Sequence, residues 1–166
     1  MSRRRVSRVV AYVGLGSNLE EPRAQVLAAF DELARLPETR LTGRSALYRS
    51  APVGGPPQPD YVNAVARLET RLPAEQLLRK LHALERRHGR ERSLANAPRV
   101  LDLDLLLYGD AIVATPELTI PHPRMHERAF VLEPLLELAP GIELPGRAAA
   151  RALRAACASQ RVERIA

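Results

Sequence analysis

The chain has 166 residues, 46% of them hydrophobic, enough for one domain with a packed core. Its net charge is +6 with a pI near 10.4, and Lys80 is the only lysine, so the positive charge is almost all guanidinium, the group suited to bidentate phosphate contacts. The charge is spread along the chain and aromatics are 4%, which argues against a base-stacking nucleic-acid surface; the lone Cys157 excludes an intrachain disulfide, and no apolar run approaches membrane-spanning length.

The start is basic, Ser2-Arg3-Arg4-Arg5, but the apolar run at 9–13 is too short for a signal-peptide core. With the single cysteine, this predicts a cytoplasmic protein. Residues 8–15 predict a buried strand running into Gly14-Leu15-Gly16-Ser17-Asn18-Leu19. A helix over 21–36 follows, with Pro22 in its first turn and Val26, Leu27, Phe30, Leu33 and Leu36 at helical spacing. A second strand is predicted over 39–50. The prolines and glycines of 51–59 forbid regular structure. A strand over 61–70 puts Val62, Ala64, Ala66 and Leu68 on one face and Tyr61, Asn63, Val65 and Arg67 on the other. Pro73 opens a helix reaching His88, with Gly89 as its stop.

An irregular segment over 90–98 leads into a strand rich in leucine. A short strand near 111–113 is expected to pair with it through the turn at 108–110. Helices fit 125–138 and 147–158, and the termini, 1–7 and 161–166, are expected to fray. Strands and helices interleave with hairpin-like joins, so the expected fold is α+β: a mostly antiparallel sheet with helices packed on it, in a single domain over 1–166.

The leucine-rich strand carries Asp102 and Asp104. Strand alternation puts both on one face and Leu101, Leu103, Leu105 and Leu107 on the other. Both carboxylates are charged at neutral pH and lie roughly 7 Å apart along a strand, where they repel unless cations sit between them. Hard oxygen donors of this kind suit Mg²⁺, which bridges carboxylates to substrate phosphates. Acidic residues facing water on a half-exposed strand are the plainer reading. Arg86, Arg87, Arg90, Arg92 and Arg99 lead straight into the pair, however, and guanidiniums beside carboxylates suit a nucleotide triphosphate with its metal.

The other constellations are less distinctive. Gly14 and Gly16 fit either a close backbone approach to a ligand or a neighbouring strand, or a tight strand-to-helix exit; the exit is the favoured reading, and neither a dinucleotide fingerprint nor a P-loop lysine follows. Tyr61 and Asn63 share a face and offer a stacking ring and an amide edge for a flat heterocycle, although on this pair alone a core tyrosine and a turn asparagine are the favoured reading. His122 is held extended between Pro121 and Pro123.

In order, the chain carries G-S-N-L at 16–19, Y-R-S-A-P-V-G at 48–54, Q-P-D-Y-V-N at 58–63, L-E-R-R-H-G-R-E-R at 84–92, N-A-P-R-V-L-D-L-D-L-L at 96–106 and I-P-H-P-R-M-H-E-R-A-F at 120–130. This set resembles the 6-hydroxymethyl-7,8-dihydropterin pyrophosphokinases of folate biosynthesis, with departures at Ala51, His82 and 93–96. The resemblance implies a ferredoxin-like three-layer α/β/α sandwich and transfer of pyrophosphate from the co-substrate ATP to the pterin hydroxymethyl group, releasing AMP. It implies two Mg²⁺ on Asp102 and Asp104; a pterin pocket of Ser50, Val53, Tyr61, Asn63 and Phe130; and ATP contacts from Glu85, Arg90, Arg92, Arg99, Leu105, His122 and Arg128. Arg90, Arg99, Asp102, Asp104 and His122 are the expected catalytic set. The segments 51–59 and 86–98 are expected to close over the substrates. The implied partners are small molecules, with no nucleic acid, membrane or obligate protein partner.

Two rivals remain. A nucleotidyltransferase also joins a G-S turn to D-x-D, but there the two lie close in sequence, whereas Gly16 and Asp102 fall on different predicted strands. A basic nucleic-acid-binding module on a ferredoxin-like sheet leaves the aspartate pair unexplained, since acids repel phosphates without a metal.

Overall fold

The structure, a computed structural model, describes residues 7–52, 55, 57–89 and 100–165. In chain order the elements are β1 (Val9–Ser17), α1 (Pro22–Ala34), β2 (Thr39–Arg44), β3 (Tyr48–Ser50), β4 (Tyr61–Thr70), α2 (Ala74–Arg87), β5 (Asp102–Tyr108), β6 (Val113–Ala114) and β7 (Thr119–Ile120). A 3-10 turn at Met125–Glu127, then α3 (Ala129–Leu138), α4 (Ala150–Ala156) and β8 (Val162–Arg164) complete the chain.

The main sheet runs β5-β1-β4-β3-β8, with β2 also on β4, and every pairing in it is antiparallel. The βαββαβ order with this strand arrangement is ferredoxin-like. Strand alternation then separates two cores. Ala11, Val13, Leu15, Ala64, Leu103 and Leu105 face Phe30 and Leu33 of α1 and Leu77, Leu81 and Leu84 of α2. Tyr12, Val65, Leu106 and Leu107 face Met125, Leu132 and Leu135 of the α3 side, with Ala150 of α4. This is the α/β/α sandwich that the motifs imply. Among the described residues no helix is long and apolar enough to cross a membrane.

Several elements follow the sequence closely. The strand at 61–70 is β4 with both predicted faces, and α2 stops at Gly89, whose φ of +84 is cheap only for glycine. Others differ for identifiable reasons. The strand predicted over 39–50 breaks in two, because Ser45 turns its hydroxyl onto the Val65 N–H (2.8 Å) and Ala46 leaves the ladder to donate to Glu137. Leu107 does not share the face of Leu101, Leu103 and Leu105. A register shift opposite Tyr12 and Val13 inserts Leu106 as an extra residue, and Leu106 and Leu107 both join the α3 side.

The strand near 111–113 does not pair with β5. β6 pairs β7 in a separate two-stranded sheet, while His122 N–H takes the carbonyl of Leu106. The helix predicted over 125–138 is interrupted at Arg128, which is extended at φ −118 and ψ 104. The one predicted over 147–158 shortens to α4. The segment at 161–166 does not fray over its described part: β8 pairs Val162 with Ser50, Glu163 with Arg49 and Arg164 with Tyr48. The predicted fraying of 1–6 and the irregular segment at 90–98 lie outside the described residues.

The corner between β2 and β3 is fixed by Glu137 at the end of α3. Its carboxylate accepts the Tyr48 hydroxyl (2.6 Å) and the Ala46 N–H (3.0 Å to each oxygen). Burial, then the hydrogen bond to Glu137 and its charge, hold the Tyr48 phenol above its ordinary range. Burial, then the charge of Glu75, does the same to Tyr108. The folded chain therefore binds these protons more tightly than the unfolded one, so stability is present below pH ~10 and declines above it. Denaturant titrations should show that decline. Tyr48→Phe should cost about 1–2 kcal/mol at pH 7 and make the alkaline decline shallower; an unaltered slope would remove Tyr48 from the linkage.

Candidate active site

A cavity of about 650 Å³ opens on the part of the α3-side sheet face that α3 leaves uncovered. This volume is in the range of small-molecule sites. Its floor is β1. Gly16 lies opposite Asp102 on one side and Asn63 on the other, and Gly14 lies between Asp104 and Val65. A Cβ on Gly16 would sit 3.4 Å from Asn63 Oδ1, and one on Gly14 would sit 3.4 Å from Leu106 Cδ2. The two glycines are therefore interior strand residues that keep the floor bare. The strand-to-helix exit predicted there falls later, at 18–21, where Glu20 and Glu21 take positive φ and Asn18 Nδ2 donates to Gln58 Oε1 (2.8 Å) and the Pro59 carbonyl (3.0 Å).

Asp102 and Asp104 rise from β5 along one edge of this floor, both lining the cavity. Behind them, Glu85 of α2 is 2% exposed, and its carboxylate accepts the Leu103 N–H at 2.9 Å. Tyr61, Asn63 and Ser50 line the opposite edge, with Asn63 Nδ2 donating to Ser50 Oγ at 2.6 Å. Phe130 lines the cavity from the first turn of α3, with the Arg128 guanidinium 5.5 Å from its ring centroid.

His122 closes the side beside the aspartates. The Arg124 N–H donates to its Nδ1 (3.2 Å), which fixes the proton of the neutral ring on Nε2, and Nε2 lies 3.9 Å from Asp104 Oδ1. Burial, reinforced by the charge of Arg128 and only partly opposed by Asp102, pushes the imidazole down to about 4. At neutral pH it is an uncharged N–H donor facing the cavity.

The residues singled out from sequence divide into three groups. Ser50, Tyr61, Asn63, Asp102, Asp104, Leu105, His122, Arg128 and Phe130 meet in one cavity. Glu85 lies outside its lining, against the backbone of β5. Val53, Arg90, Arg92 and Arg99 lie outside the described residues. Sequence reasoning missed Arg124, Glu127 and Gln160, which also line the cavity. Only Arg124 and Glu127 had a signal, their place in the run at 120–130; Gln160 had none.

The donor chemistry fits Mg²⁺: two hard carboxylates on one face of one strand, open to a space large enough for phosphates. Two carboxylates fill only part of a magnesium shell, and magnesium commonly shares the rest with water and substrate phosphates.

Residues 12–140 match the family described as 7,8-dihydro-6-hydroxymethylpterin-pyrophosphokinase (HPPK). A 2-amino-4-hydroxy-6-hydroxymethyldihydropteridine pyrophosphokinase of Pseudomonas aeruginosa is 50% identical over 154 residues, covering 93% of this chain and 95% of the relative. The enzyme of the same name from Haemophilus influenzae is 47% identical over 137 residues, covering 82% and 86%. Among solved structures, a Plasmodium falciparum HPPK-DHPS superposes with a TM-score of 0.74 at 13% identity over 93% of this chain. That likeness concerns the fold, and this chain spans 46% of the longer one. The family match across most of the sequence, and relatives of nearly the same length, place the chain in the 7,8-dihydro-6-hydroxymethylpterin-pyrophosphokinase family.

Proposed function

We propose that this chain transfers pyrophosphate from ATP to the hydroxymethyl group of 6-hydroxymethyl-7,8-dihydropterin, giving AMP and the pterin diphosphate, in folate biosynthesis. One observation carries the reading. A carboxylate pair stands over a bare glycine floor, with a ring-and-amide wall on one side and a cationic, N–H-donating wall on the other.

The reaction asks for positioning more than covalent chemistry. Asp102 and Asp104 would hold two Mg²⁺ ions. Bound magnesium supplies charge neutralisation on the phosphates and polarisation of the incoming hydroxyl. Tyr61 and Phe130 offer flat faces to the pterin, and Asn63, fixed by Ser50, offers its amide to the heterocycle edge. The resemblance adds Val53 to the residues expected to bind the pterin. The hydroxyl attacks the β-phosphorus of ATP in line, with AMP as the leaving group.

His122 donates Nε2–H to a phosphate oxygen, and its neutrality spares the site a further charge to desolvate. Arg128 and Leu105 contact the nucleotide directly, and Glu85 serves it from behind β5. Arg90, Arg92 and Arg99 take phosphate charge. With every described site residue except Glu85 lining one cavity, the chain reads as a single pyrophosphokinase domain, and the lone cysteine supports a cytoplasmic setting.

Incubated with Mg²⁺, ATP and the reduced hydroxymethylpterin, the protein should accumulate AMP. Free pyrophosphate instead would indicate nucleotidyl transfer. Asp102→Ala and Asp104→Ala should each abolish turnover with unchanged circular dichroism and a thermal midpoint within a few degrees of the parent; near-normal turnover in either variant would exclude the two-metal assignment. Arg99→Ala should lose about a hundredfold or more in kcat while remaining folded, and an unchanged rate would remove Arg99 from the mechanism.

A further inference from the structure

Residues 141–165 lie beyond the stretch that matches the family, yet they build part of the site. Gln160 lines the cavity, and its side-chain amide spans Arg128. Nε2 donates to the Glu127 carbonyl at 2.8 Å, and Oε1 accepts the Ala129 N–H at 2.9 Å. Both backbone groups belong to a helix break. Glu127 ends the 3-10 turn, Ala129 begins α3, and Arg128 between them is extended. The N–H groups of the first helical turn have no partner within the helix, and α3 has no side-chain cap of its own at Arg128. Gln160 supplies partners from a remote segment on both sides of a single residue.

Gln160 is itself held in place. Its own N–H donates to the Cys157 carbonyl (3.0 Å), and β8, two residues further on, pairs Val162 with Ser50 on the opposite side of the cavity. A second side chain of the same segment secures the other end of the run: Arg147 donates to the His122 carbonyl (3.0 Å) and to His126 Nδ1 (2.8 Å). The chain after α3 is thus a strap that grips the run at 122–129 at two points and joins β3 beyond it.

We propose that Gln160 is a positioning residue for the nucleotide, fixing the break at Arg128 so that the guanidinium is aimed into the cavity beside Phe130. This rests on the reading of Arg128 as an ATP contact. Gln160 acts on binding rather than on the reacting atoms, so its loss falls on the KM for ATP.

Steady-state kinetics of Gln160→Met, which keeps length and shape but removes both hydrogen bonds, give the test. The expected result is a KM for ATP raised about five- to tenfold, the size of one lost hydrogen bond, with kcat and the KM for the pterin within twofold. Gln160→Glu keeps the acceptor for Ala129 and should recover part of the loss. In an Arg128→Ala background, Gln160→Met should add nothing. An unchanged KM for ATP in Gln160→Met, while Arg128→Ala raises it, overturns the proposal and leaves the site reading intact. A full additional effect in the Arg128→Ala background also overturns it, because Gln160 would then act by another route. An unchanged KM in Arg128→Ala overturns the site reading on which the proposal stands.

Discussion

The hydrogen bond from Leu103 N–H to the buried carboxylate of Glu85 lies between the two aspartates, and the site depends on it. β5 is an edge strand of the main sheet. Strand edges leave alternate N–H and C=O groups unpaired and free to slip in register. A one-residue slip here would carry both aspartates from the cavity to the apolar side. Glu85 takes the outward N–H at Leu103, and His122 N–H takes the outward carbonyl at Leu106, so the edge is held on both sides of Asp104 by side-chain and loop groups rather than by another strand. A buried carboxylate is tolerated only where donors satisfy it, and so the α2 helix spends a core position on a charged residue.

The extra residue at Leu106 belongs to the same device. Before it, β5 alternates aspartate toward the cavity with leucine toward α1 and α2. After it, the strand has turned, and Leu106 and Leu107 both seal the core under α3. The polar and apolar halves of one sheet face are separated within a single strand. The irregularity was invisible in a run of leucines, because alternation cannot be read where every residue is apolar. Asp102 and Asp104 were legible for the opposite reason: two charges in an apolar run have only one face to share.

The same contrast runs through the rest of the chain. β4 and α2 were readable because their periodicity is carried by clear apolar and polar partners, and Tyr61 and Asn63 fell on one face from alternation alone. The break at Arg128 was not readable. The sequence at 125–138 contains helix formers on both sides of it, and the groups that hold it open come from Gln160, which is 31 residues distant from Ala129 along the chain. β8 was missed because three residues, two of them charged, carry no strand signal until β3 offers an unpaired edge. For Gly14 and Gly16 the structure takes the less favoured of two readings, close backbone approach, over the strand-to-helix exit. Their spacing fits a turn as well as a strand floor, and only the register with Asp102 and Asn63 decides between them.

These features make the cavity a matter of how far α3 extends. On the other face, α1 and α2 cover the sheet from β4 to β5 with a continuous apolar layer. On the cavity face, α3 covers the sheet as far as Leu106, Tyr12 and Val65, then stops at Ala129. The extended residue at 128 ends the apolar layer and delivers a cation and an aromatic ring to its margin. The bare floor and the cation and ring at its margin therefore go together with one interruption in a helix, and the segment that stabilises that interruption helps to shape the cavity.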